Sequence, residues 1–567
     1  MKVDLYNYIR AAQRINRRQM LKGSAALGAV AAMPRTGFAE AHGNLRAEIL
    51  KIPGVGAGSP TDSDYQKVGE MCLAPTKANV AEGEFEGVEL TFLGLNNQNQ
   101  HNFIFRGFLR SWEDYTGAKI NWIDLAQADY NARLQQSIAT GTVDFDVIEM
   151  GAPFEGDVLG RGMASEMPDW VRDQIDMDDY VDYLKAPVGT WDGKTYRVSI
   201  DGDTHTFAYR KDYYDSEELA QAWTDAGNTT EWAPPKTWEE VNAQSKFLVG
   251  KTDPLTGLEA HGYLDPLKGW GGFGFYFLEN RAAPYAKHPD DPAWLFDPDT
   301  MKPRVNNPAF VQAIQDVMDL IAADAYPADQ INADPGTTAF QQFLAGTGGM
   351  LSWWGDVGAS ARTSDTSVIG DVVGFDINPA TGKVWNTASG QWDEMENVSP
   401  NNAYIGWGVY VMATVDSDEK RKKAAWSIAA HLGGKDISLW ASAYPTGFQP
   451  YRNSHFQFEE WEEAGYDRAF VEDYLGSNAD SYNHPNAAVE PRIPGIFQYY
   501  SVAEDELAKG YAGQYGSAQE TADAIAAAWE KITDQIGRDS QIALYKASLG
   551  LSETGGGGRH ARLTHKI

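Results

Sequence analysis

The stretch 340–356 (FQQFLAGTGGMLSWWGD) combines residue types that can bind a carbohydrate. It reads as a helix end, a glycine-rich break at 346–349, a short apolar strand at 350–353, and a polar loop. Indole rings cover the apolar face of a pyranose, and a carboxylate accepts hydrogen bonds from its hydroxyls. The sequence therefore predicts a saccharide site near Trp354 and Asp356. The alternative interpretation is a helix–strand joint of another α/β protein, with the tryptophans in its core.

Strand and helix signals alternate along the first part of the chain, with strands at 88–93, 120–123 and 144–150. This spacing predicts parallel strands joined by crossover helices. Ligands of such open sheets bind beyond the carboxyl ends of strands. That rule selects polar and aromatic loop residues as candidate ligand-binding residues, with packing or a surface role as the alternative for each. The candidates are Asn96, Gln98, Asn99, Glu149, Asp201, Asp203, His205, Trp270, Trp354, Asp356, Asn402, Trp407, Tyr444 and Phe448.

The bulk composition limits the classes of protein to consider. With 567 residues the chain is too long for a single core, so two or more lobes are expected. The net charge of -32 disfavours nucleic acid and anionic lipid as partners and favours neutral or cationic ligands. No run of apolar residues is long enough to span a membrane. The single cysteine, Cys72, excludes a disulfide framework and a cysteine-ligated iron–sulfur cluster.

The N-terminus has the features of an export signal. Paired arginines, Arg17 and Arg18, precede a mild apolar run at 23–33, and an A-x-A-like cleavage site ends at Ala41. This pattern resembles a twin-arginine signal, so we expect cleavage after Ala41 and a periplasmic protein. A basic amphipathic start to the fold is the alternative.

Other kinds of site find little support in the residue spacing. Histidines form no H-x-x-x-H pair, and the acidic segment 288–300 lacks the spacing of a calcium loop. No P-loop, no dinucleotide fingerprint after a strand and no G-x-S-x-G elbow occurs. We therefore predict no catalytic residues, no metal and no cofactor. A secreted glycoside hydrolase, which needs two suitably spaced carboxylates, remains the main alternative. A periplasmic oxidoreductase would rest on the export signal alone.

A series of short segments matches the motifs of one family in the right order. The segments include a helix–strand unit, a turn before a strand, a helix start of the form P-P-x-T-W-E-E, the Trp-containing stretch and a late G-x-x-P turn. They are Tyr130–Met150, Trp191–Tyr196, Pro234–Glu240, Phe340–Asp356 and Tyr444–Pro450. From about residue 87 to 545 the chain resembles the family 1 extracellular solute-binding proteins, the periplasmic receptors of carbohydrate ABC importers.

The resemblance implies an α/β, two-lobe periplasmic-binding-protein fold. Its sheets would be mostly parallel with crossover helices, and crossing hinge strands would join the lobes. The predicted division is a signal peptide at 1–41, an N-terminal arm at 42–86, lobe 1 at 87–202 and 334–400, lobe 2 at 203–333 and 401–549, and a disordered tail at 550–567.

The resemblance also implies a function without catalysis. The chain would capture a sugar or polyol between its lobes and deliver it to the permease subunits of an ABC importer. We expect a monomer that is not membrane-embedded and has no nucleic-acid partner. Which sugar or polyol binds stays open, as does a contact between ligand and the long aromatic insertion at 451–500.

Overall fold

The computed structural model describes the chain from residue 45 to residue 551, apart from 98–99, 187, 268, 270, 328–329 and 331–338. The predicted signal peptide at 1–41 and most of the predicted tail at 550–567 lie outside the described residues. Within them, no helix has the length and apolar character that a membrane span requires.

The strands are β1 Glu89–Asn97, β2 Gln100–His101, β3 Lys119–Leu125, β4 Val147–Gly151, β5 Val198–Ser199, β6 His205–Arg210, β7 His261–Tyr263, β8 Gly348–Trp354, β9 Val373–Ile377, β10 Val384–Asn386, β11 Gln391–Asp393, β12 Asn401–Asn402, β13 Trp407–Val411 and β14 Ala488–Val489.

The α-helices are α1 Asp62–Met71, α2 Ala74–Asn79, α3 Asn102–Thr116, α4 Gln127–Thr140, α5 Glu155–Val158, α6 Asp169–Gln174, α7 Lys211–Tyr214, α8 Glu217–Asp225, α9 Trp238–Leu248, α10 Phe273–Ala286, α11 Pro308–Ala322, α12 Gln341–Leu344, α13 Val357–Thr363, α14 Glu419–Leu432, α15 Lys435–Ala443, α16 Phe458–Glu463, α17 Arg468–Asn483, α18 Ile496–Tyr511, α19 Ala518–Ile536 and α20 Arg538–Ser548.

The first sheet has the strand order β2–β1–β4–β13–β5, and β3 also pairs with β1. β1 runs parallel to β3 and to β4, with α3 and α4 as the crossover helices. Phe108 and Trp112 of α3 are buried, as their spacing along the helix predicts. The predicted strand–helix–strand–helix–strand unit is therefore confirmed.

The second sheet has the order β7–β8–β6–β9. β7 is parallel to β8, but β6 is antiparallel to both β8 and β9. The prediction of mostly parallel strands is wrong for this sheet, and the first sheet is mixed as well, since β13 runs antiparallel to β4 and β5. A parallel neighbour needs a crossover within its own sheet. β6 instead enters from the first sheet, so its first residue, His205, pairs with the last residue of β8, Trp354.

The sheets group the chain differently from the predicted lobes. β8 and β9, within the segment 334–400 assigned to lobe 1, pair around β6 in the second sheet. β13, within the segment assigned to lobe 2 from residue 401, pairs with β4 and β5 in the first sheet. The difference arises because the chain passes between the sheets at 200–204 and returns before β13.

The predicted N-terminal arm packs along the first sheet's helices. Tyr65 of α1 contacts Trp440 of α15 with ring centroids 5.7 Å apart. The Trp440 indole N–H donates to the carbonyl of Ile52 at 2.6 Å, and the Tyr444 hydroxyl donates to the carbonyl of Leu50 at 2.7 Å. The arm is thus held by residues from the last third of the chain.

The predicted start of α9 is confirmed by its capping geometry. The Thr237 hydroxyl accepts a hydrogen bond from the Glu240 N–H at 3.2 Å, and a Glu240 carboxylate oxygen accepts from the Thr237 N–H at 3.2 Å. This reciprocal pair satisfies two backbone donors that a helix start leaves open. It fixes the entry of α9, whose Trp238 is fully buried.

Replacing the cap, Thr237→Ala, should lower the free energy of unfolding by about 1 kcal/mol, because the Glu240 N–H loses its acceptor. Denaturant unfolding followed by circular dichroism measures the loss. Thr224→Ala, the same chemical change at an exposed position inside α8, is the matched control. An equal loss in both variants would contradict the capping role.

Candidate functional site

The chain crosses between the two sheets through buried, polar backbone. β5 ends at Ser199 and β6 begins at His205, so 200–204 form the first crossing. The second crossing, 403–406, brings the chain back into the first sheet: it connects β12, which pairs with β14 in a separate two-stranded sheet, to β13. It contains two non-glycine residues with left-handed backbone, Tyr404 at φ 72° and Ile405 at φ 53°. Such conformations cost energy and concentrate at functional sites.

The side chain of Gln449, fully buried, ties the first crossing to the end of β8. Its amide oxygen accepts hydrogen bonds from the Thr204 N–H at 3.1 Å and the Gly355 N–H at 2.8 Å. Its amide nitrogen donates to Asp203 at 2.7 Å, and its backbone N–H donates to Asp201 at 2.7 Å. One residue therefore positions both aspartates of the crossing.

Four buried carboxyl groups gather at this point, which we call the carboxyl cluster: Asp201, Asp203, Asp356 and Glu490. Burial raises the pKa of Asp201 to about 7 and the pKa of Glu490 to about 8. Burial and the charge of neighbouring Asp201 raise the pKa values of Asp203 and Asp356 well above their usual range. Asp201 and Asp203 are electrostatically coupled, so the ionisation of one disfavours that of the other.

Several buried polar atoms beside the cluster have no hydrogen-bond partner within the described part of the chain. They are the ring nitrogen Nε2 of His205, the indole Nε1 of Trp354, the amide nitrogens Nδ2 of Asn280 and Asn402, and the hydroxyls of Tyr404 and Tyr482. Leaving such an atom unpaired costs about 1–3 kcal/mol. Together they present both donors and acceptors to a polar ligand.

His205 connects the crossing to helix α10. Burial lowers its pKa to about 3, so the imidazole is neutral. Its Nδ1 lies 2.8 Å from the Asn280 amide oxygen, and its ring meets the Trp354 indole edge-on at 4.4 Å. The neutral imidazole therefore lies between the Asn280 amide and the Trp354 indole, and its Nε2 has no hydrogen-bond partner in the described chain.

Aromatic rings form one wall of the site. Phe273 contacts Tyr404 with centroids 5.0 Å apart and Trp354 with centroids 6.0 Å apart. Tyr404 also contacts Trp407 at 4.8 Å, and the Tyr276 hydroxyl donates to Glu490. The wall is supplied by α10, β8 and the second crossing.

Of the predicted site residues, Asp201, Asp203, His205, Trp354, Asp356 and Asn402 come together at the crossings. A second group forms around His101. Its Nδ1 bonds Glu149, and its ring contacts Trp407 at 5.0 Å and Phe448 at 5.4 Å. The strand-end rule thus selects residues that are neighbours in space.

Two other predicted residues, Asn96 and Tyr444, do not join these groups. Asn96 is exposed in β1. Tyr444 packs on Trp440, and its hydroxyl bonds two backbone groups of the arm, Leu50 and Gly54. The prediction failed to anticipate this arm contact, which occupies the Tyr444 hydroxyl. Gln98, Asn99 and Trp270 lie outside the described residues.

Sequence reasoning missed Gln449, Tyr404, Tyr482 and Glu490. Gln449 lies inside the recognised turn 444–450, where a buried amide gives no periodic signal. Tyr482 and Glu490 belong to the insertion 451–500, and the parallel pairing of β12 with β14 brings Glu490 to the second crossing. Among these four residues, only Tyr404 has a sequence signal: the glycines that follow it indicate a turn, in which a positive φ can occur.

A separate small cavity lies on another side of α10, lined by Asp265, Leu278, Glu504 and Tyr511 among others. Its charged groups already have partners. Asp265 pairs with Arg281 at 2.8 Å, and Glu504 accepts hydrogen bonds from backbone N–H groups at 2.8 and 3.0 Å. The crossings, with their unpaired polar atoms, are the stronger candidate site.

The free energy of unfolding should decrease as the pH rises from about 5 to about 8, and Glu490→Gln should reduce this dependence. The pKa of Glu490 is about 8 in the folded chain against an ordinary value of 4.5, so the folded state retains a proton that the unfolded state loses. Each such proton changes stability by about 1.4 kcal/mol per pH unit.

Thermal melting across this pH range measures the dependence, with exposed Glu394→Gln as the control. A Glu490→Gln protein whose pH profile matches the control's would show that Glu490 titrates normally.

The chain was compared with known proteins at the level of sequence families and of structures. Residues 110–465 match the family profile described as bacterial extracellular solute-binding protein, and residues 14–34 match the twin-arginine translocation signal sequence. No curated protein sequence matches the chain.

Solved structures of ABC transporter solute-binding proteins share the fold. A ribitol complex from Agrobacterium radiobacter K84 has a TM-score of 0.61 at 19% identity, covering 79% of this chain and 99% of that one. A D-mannitol complex from Agrobacterium vitis S4 has a TM-score of 0.57 at 19% identity, covering 80% and 99%. Maltose-bound MalE3 of T. maritima has a TM-score of 0.58 at 17% identity, covering 79% and 100%.

These similarities identify the two-lobe periplasmic-binding-protein fold. The family profile covers more than half of the chain, and the signal match agrees with the predicted export to the periplasm. The chain belongs to the bacterial extracellular solute-binding proteins and carries a twin-arginine export signal.

Proposed function

We propose that this chain is the periplasmic receptor of an ABC importer and captures a sugar or polyol where the chain crosses between its sheets. The observation that carries the proposal is the set of buried, unpaired polar atoms beside an aromatic wall at the two crossings. Such a surface matches a compound with many hydroxyls, whose polar edges and apolar faces both need partners.

Ligand hydroxyls would satisfy the unpaired groups of His205, Trp354 and Asn402. Because an unpaired buried group costs about 1–3 kcal/mol, a ligand lacking the matching hydroxyl would bind far more weakly. Residues 200–204 and 403–406 join the sheets, so they are the natural hinges. Ligand binding would stabilise the closed arrangement by its higher affinity for that state.

The compared structures support this class of ligand. Their proteins bind ribitol, D-mannitol and maltose, which are all uncharged and rich in hydroxyls. We propose that the chain acts in the same way, by binding without turnover, as a monomer that presents the closed form to membrane permease subunits.

The proposal predicts that a sugar or polyol raises the melting temperature of the chain from His42 onward. A ligand that binds only the folded state stabilises it by RT ln(1 + [L]/Kd), about 2.7 kcal/mol at a hundredfold excess over Kd. A thermal-shift screen against sugars, polyols, amino acids and glycerol phosphate measures the effect. Chromatography of the recovered ligand checks that it is unchanged.

No shift with any sugar or polyol, together with cleavage of a glycan, would overturn the receptor function in favour of a glycoside hydrolase. A shift with amino acids alone would overturn the ligand class.

Two adjacent tryptophans should differ in their effect on binding. Trp353 stacks between Phe340 at 4.8 Å and Phe277 at 5.3 Å, which makes it a core residue. Trp354 faces His205 with its indole nitrogen unpaired. Trp354→Phe should weaken ligand binding about tenfold, since it removes a hydrogen-bond donor worth on the order of 1 kcal/mol or more.

A control that loses the same kind of donor, Trp223→Phe, should lower stability and leave the dissociation constant within about twofold, since the Trp223 indole donates to the Thr230 carbonyl in a separate core cluster. Calorimetric titration of both variants with the ligand found in the screen separates the two roles. Equal affinity losses would show that Trp354 has no direct contact with ligand.

A further inference from the structure

The carboxyl cluster of Asp201, Asp203, Asp356 and Glu490 draws its members from separate parts of the chain. They come from the first crossing, from the end of β8, and from the segment after β14. Each is at most 5% exposed. They act on one another electrostatically, because Asp201 influences Asp203 and Asp356, and Glu490 influences Asp203. Gln449 bonds both Asp201 and Asp203, and one oxygen of each carboxyl is buried without a hydrogen-bond partner in the described chain.

The hydrogen-bond partners of the cluster are neutral. Asp201 accepts from the backbone N–H groups of Gly202 and Gln449, and Asp203 accepts from the Gln449 amide. Glu490 accepts from the Tyr276 hydroxyl. No described Lys or Arg side chain forms an ion pair with any of the four carboxyls.

Several buried carboxylates elsewhere in the described residues have cationic partners. Asp265 pairs with Arg281 at 2.8 Å, and Asp253 pairs with Arg210 at 3.3 Å. Glu155 pairs with Arg492 at 2.8 Å. The fold supplies a guanidinium to these three carboxylates, whereas the carboxyl cluster, like buried Asp157 and Glu279, has no ion pair in the described chain.

The basic groups in the surroundings are already engaged. His101, whose charge acts on Asp201, bonds Glu149. Arg197 lies 3.7 Å from Glu155, the same carboxylate that holds Arg492. Arg197 and Arg492 therefore share a carboxylate partner outside the carboxyl cluster.

Unpaired atoms next to the cluster indicate that a ligand completes it. One oxygen of Glu490 and the hydroxyl of Tyr482 are buried without hydrogen-bond partners in the described chain. The Tyr482 hydroxyl lies against Gly202, between the two aspartates, where a Cβ would collide with it. These atoms point to a bound molecule rather than to a closed internal network.

The charge of that molecule follows from electrostatics. Burying an ionised carboxylate without a counter-ion costs several kcal/mol. The carboxyl groups of the cluster therefore keep their protons unless a cationic ligand binds. An ammonium group would replace those protons and gain charge-assisted hydrogen bonds. Rings of Tyr276, Tyr404 and Trp354 stand nearby and attract cations. A phosphate or carboxylate would find no cation here, and any carboxyl that ionised would repel it.

We propose, on the basis of the receptor function proposed above, that the ligand is an amino sugar or amino polyol whose protonated amine is bound by Asp201, Asp203, Asp356 and Glu490. The hydroxyls of the same molecule would bond the unpaired groups of His205, Trp354 and Asn402.

Calorimetric titration of the mature protein at pH 7 with matched compounds tests the proposal. The pairs are D-glucitol with 1-amino-1-deoxy-D-glucitol, and D-glucose with D-glucosamine, with D-gluconate as the anion. We expect the amine of a pair to bind at least about tenfold more tightly than its neutral partner, and the anion to bind most weakly.

The isosteric variants Asp203→Asn and Glu490→Gln should remove most of this preference, measured in each variant as the ratio of the amine's affinity to that of its neutral partner. Asp157→Asn is the matched control, since Asp157 is a buried carboxyl outside the cluster that accepts from the Gly495 N–H. The control should retain the preference. Circular dichroism and neutral-ligand binding verify that the variants are folded.

Each of the other outcomes would overturn one part of the proposal. Equal or tighter binding of the neutral compounds, or of gluconate, would overturn the cationic ligand and leave the receptor function intact. An unchanged preference in the two cluster variants would overturn the assignment to these carboxyls. Binding of none of the compounds, nor of any other sugar or polyol in the wider screen, would count against the receptor function itself.

Discussion

The hydrogen bonds of Gln449 are the constraint on which the centre of the structure depends. A chain that crosses between two sheets must bury polar backbone away from any strand partner, and each unpaired group would be costly. Gln449 meets this requirement for Thr204 and Gly355 at once and also orients Asp201 and Asp203. Because this side chain is fully buried and its amide oxygen bonds both segments, it holds the crossing and the end of β8 together.

The protein contains two kinds of buried polar groups around Gln449. Structural charges such as Asp265 and Arg281 are paired within the fold, and they stabilise one arrangement of the helices around them. The polar groups at the crossings are positioned by the fold, but several of them have no hydrogen-bond partner in the described chain. A binding protein needs this division, because the free energy of an unfinished hydrogen-bond network becomes available only when ligand completes it.

Local patterns predicted what local forces decide. The start of α9 follows from a threonine and a glutamate three residues apart, and the buried face of α3 follows from apolar spacing. The strand-end rule placed Asp201 and Asp356 in the same neighbourhood. The antiparallel pairing of β6 with β8 and the approach of Glu490 through β14 depend on contacts between distant segments. Periodicity within a short window carries no information about either.

The attachment of the N-terminal arm limits the order in which the chain can be synthesised, folded and exported. The Tyr444 hydroxyl and its partner Leu50 are 394 residues apart, and Trp440 holds Ile52 over a similar distance. A ribosome must therefore release most of the chain before the segment next to the signal can dock. A translocase that threads an unfolded chain would carry that segment across first and alone. The twin-arginine route transports finished folds, so the arm can be closed in the cytoplasm with its partners present.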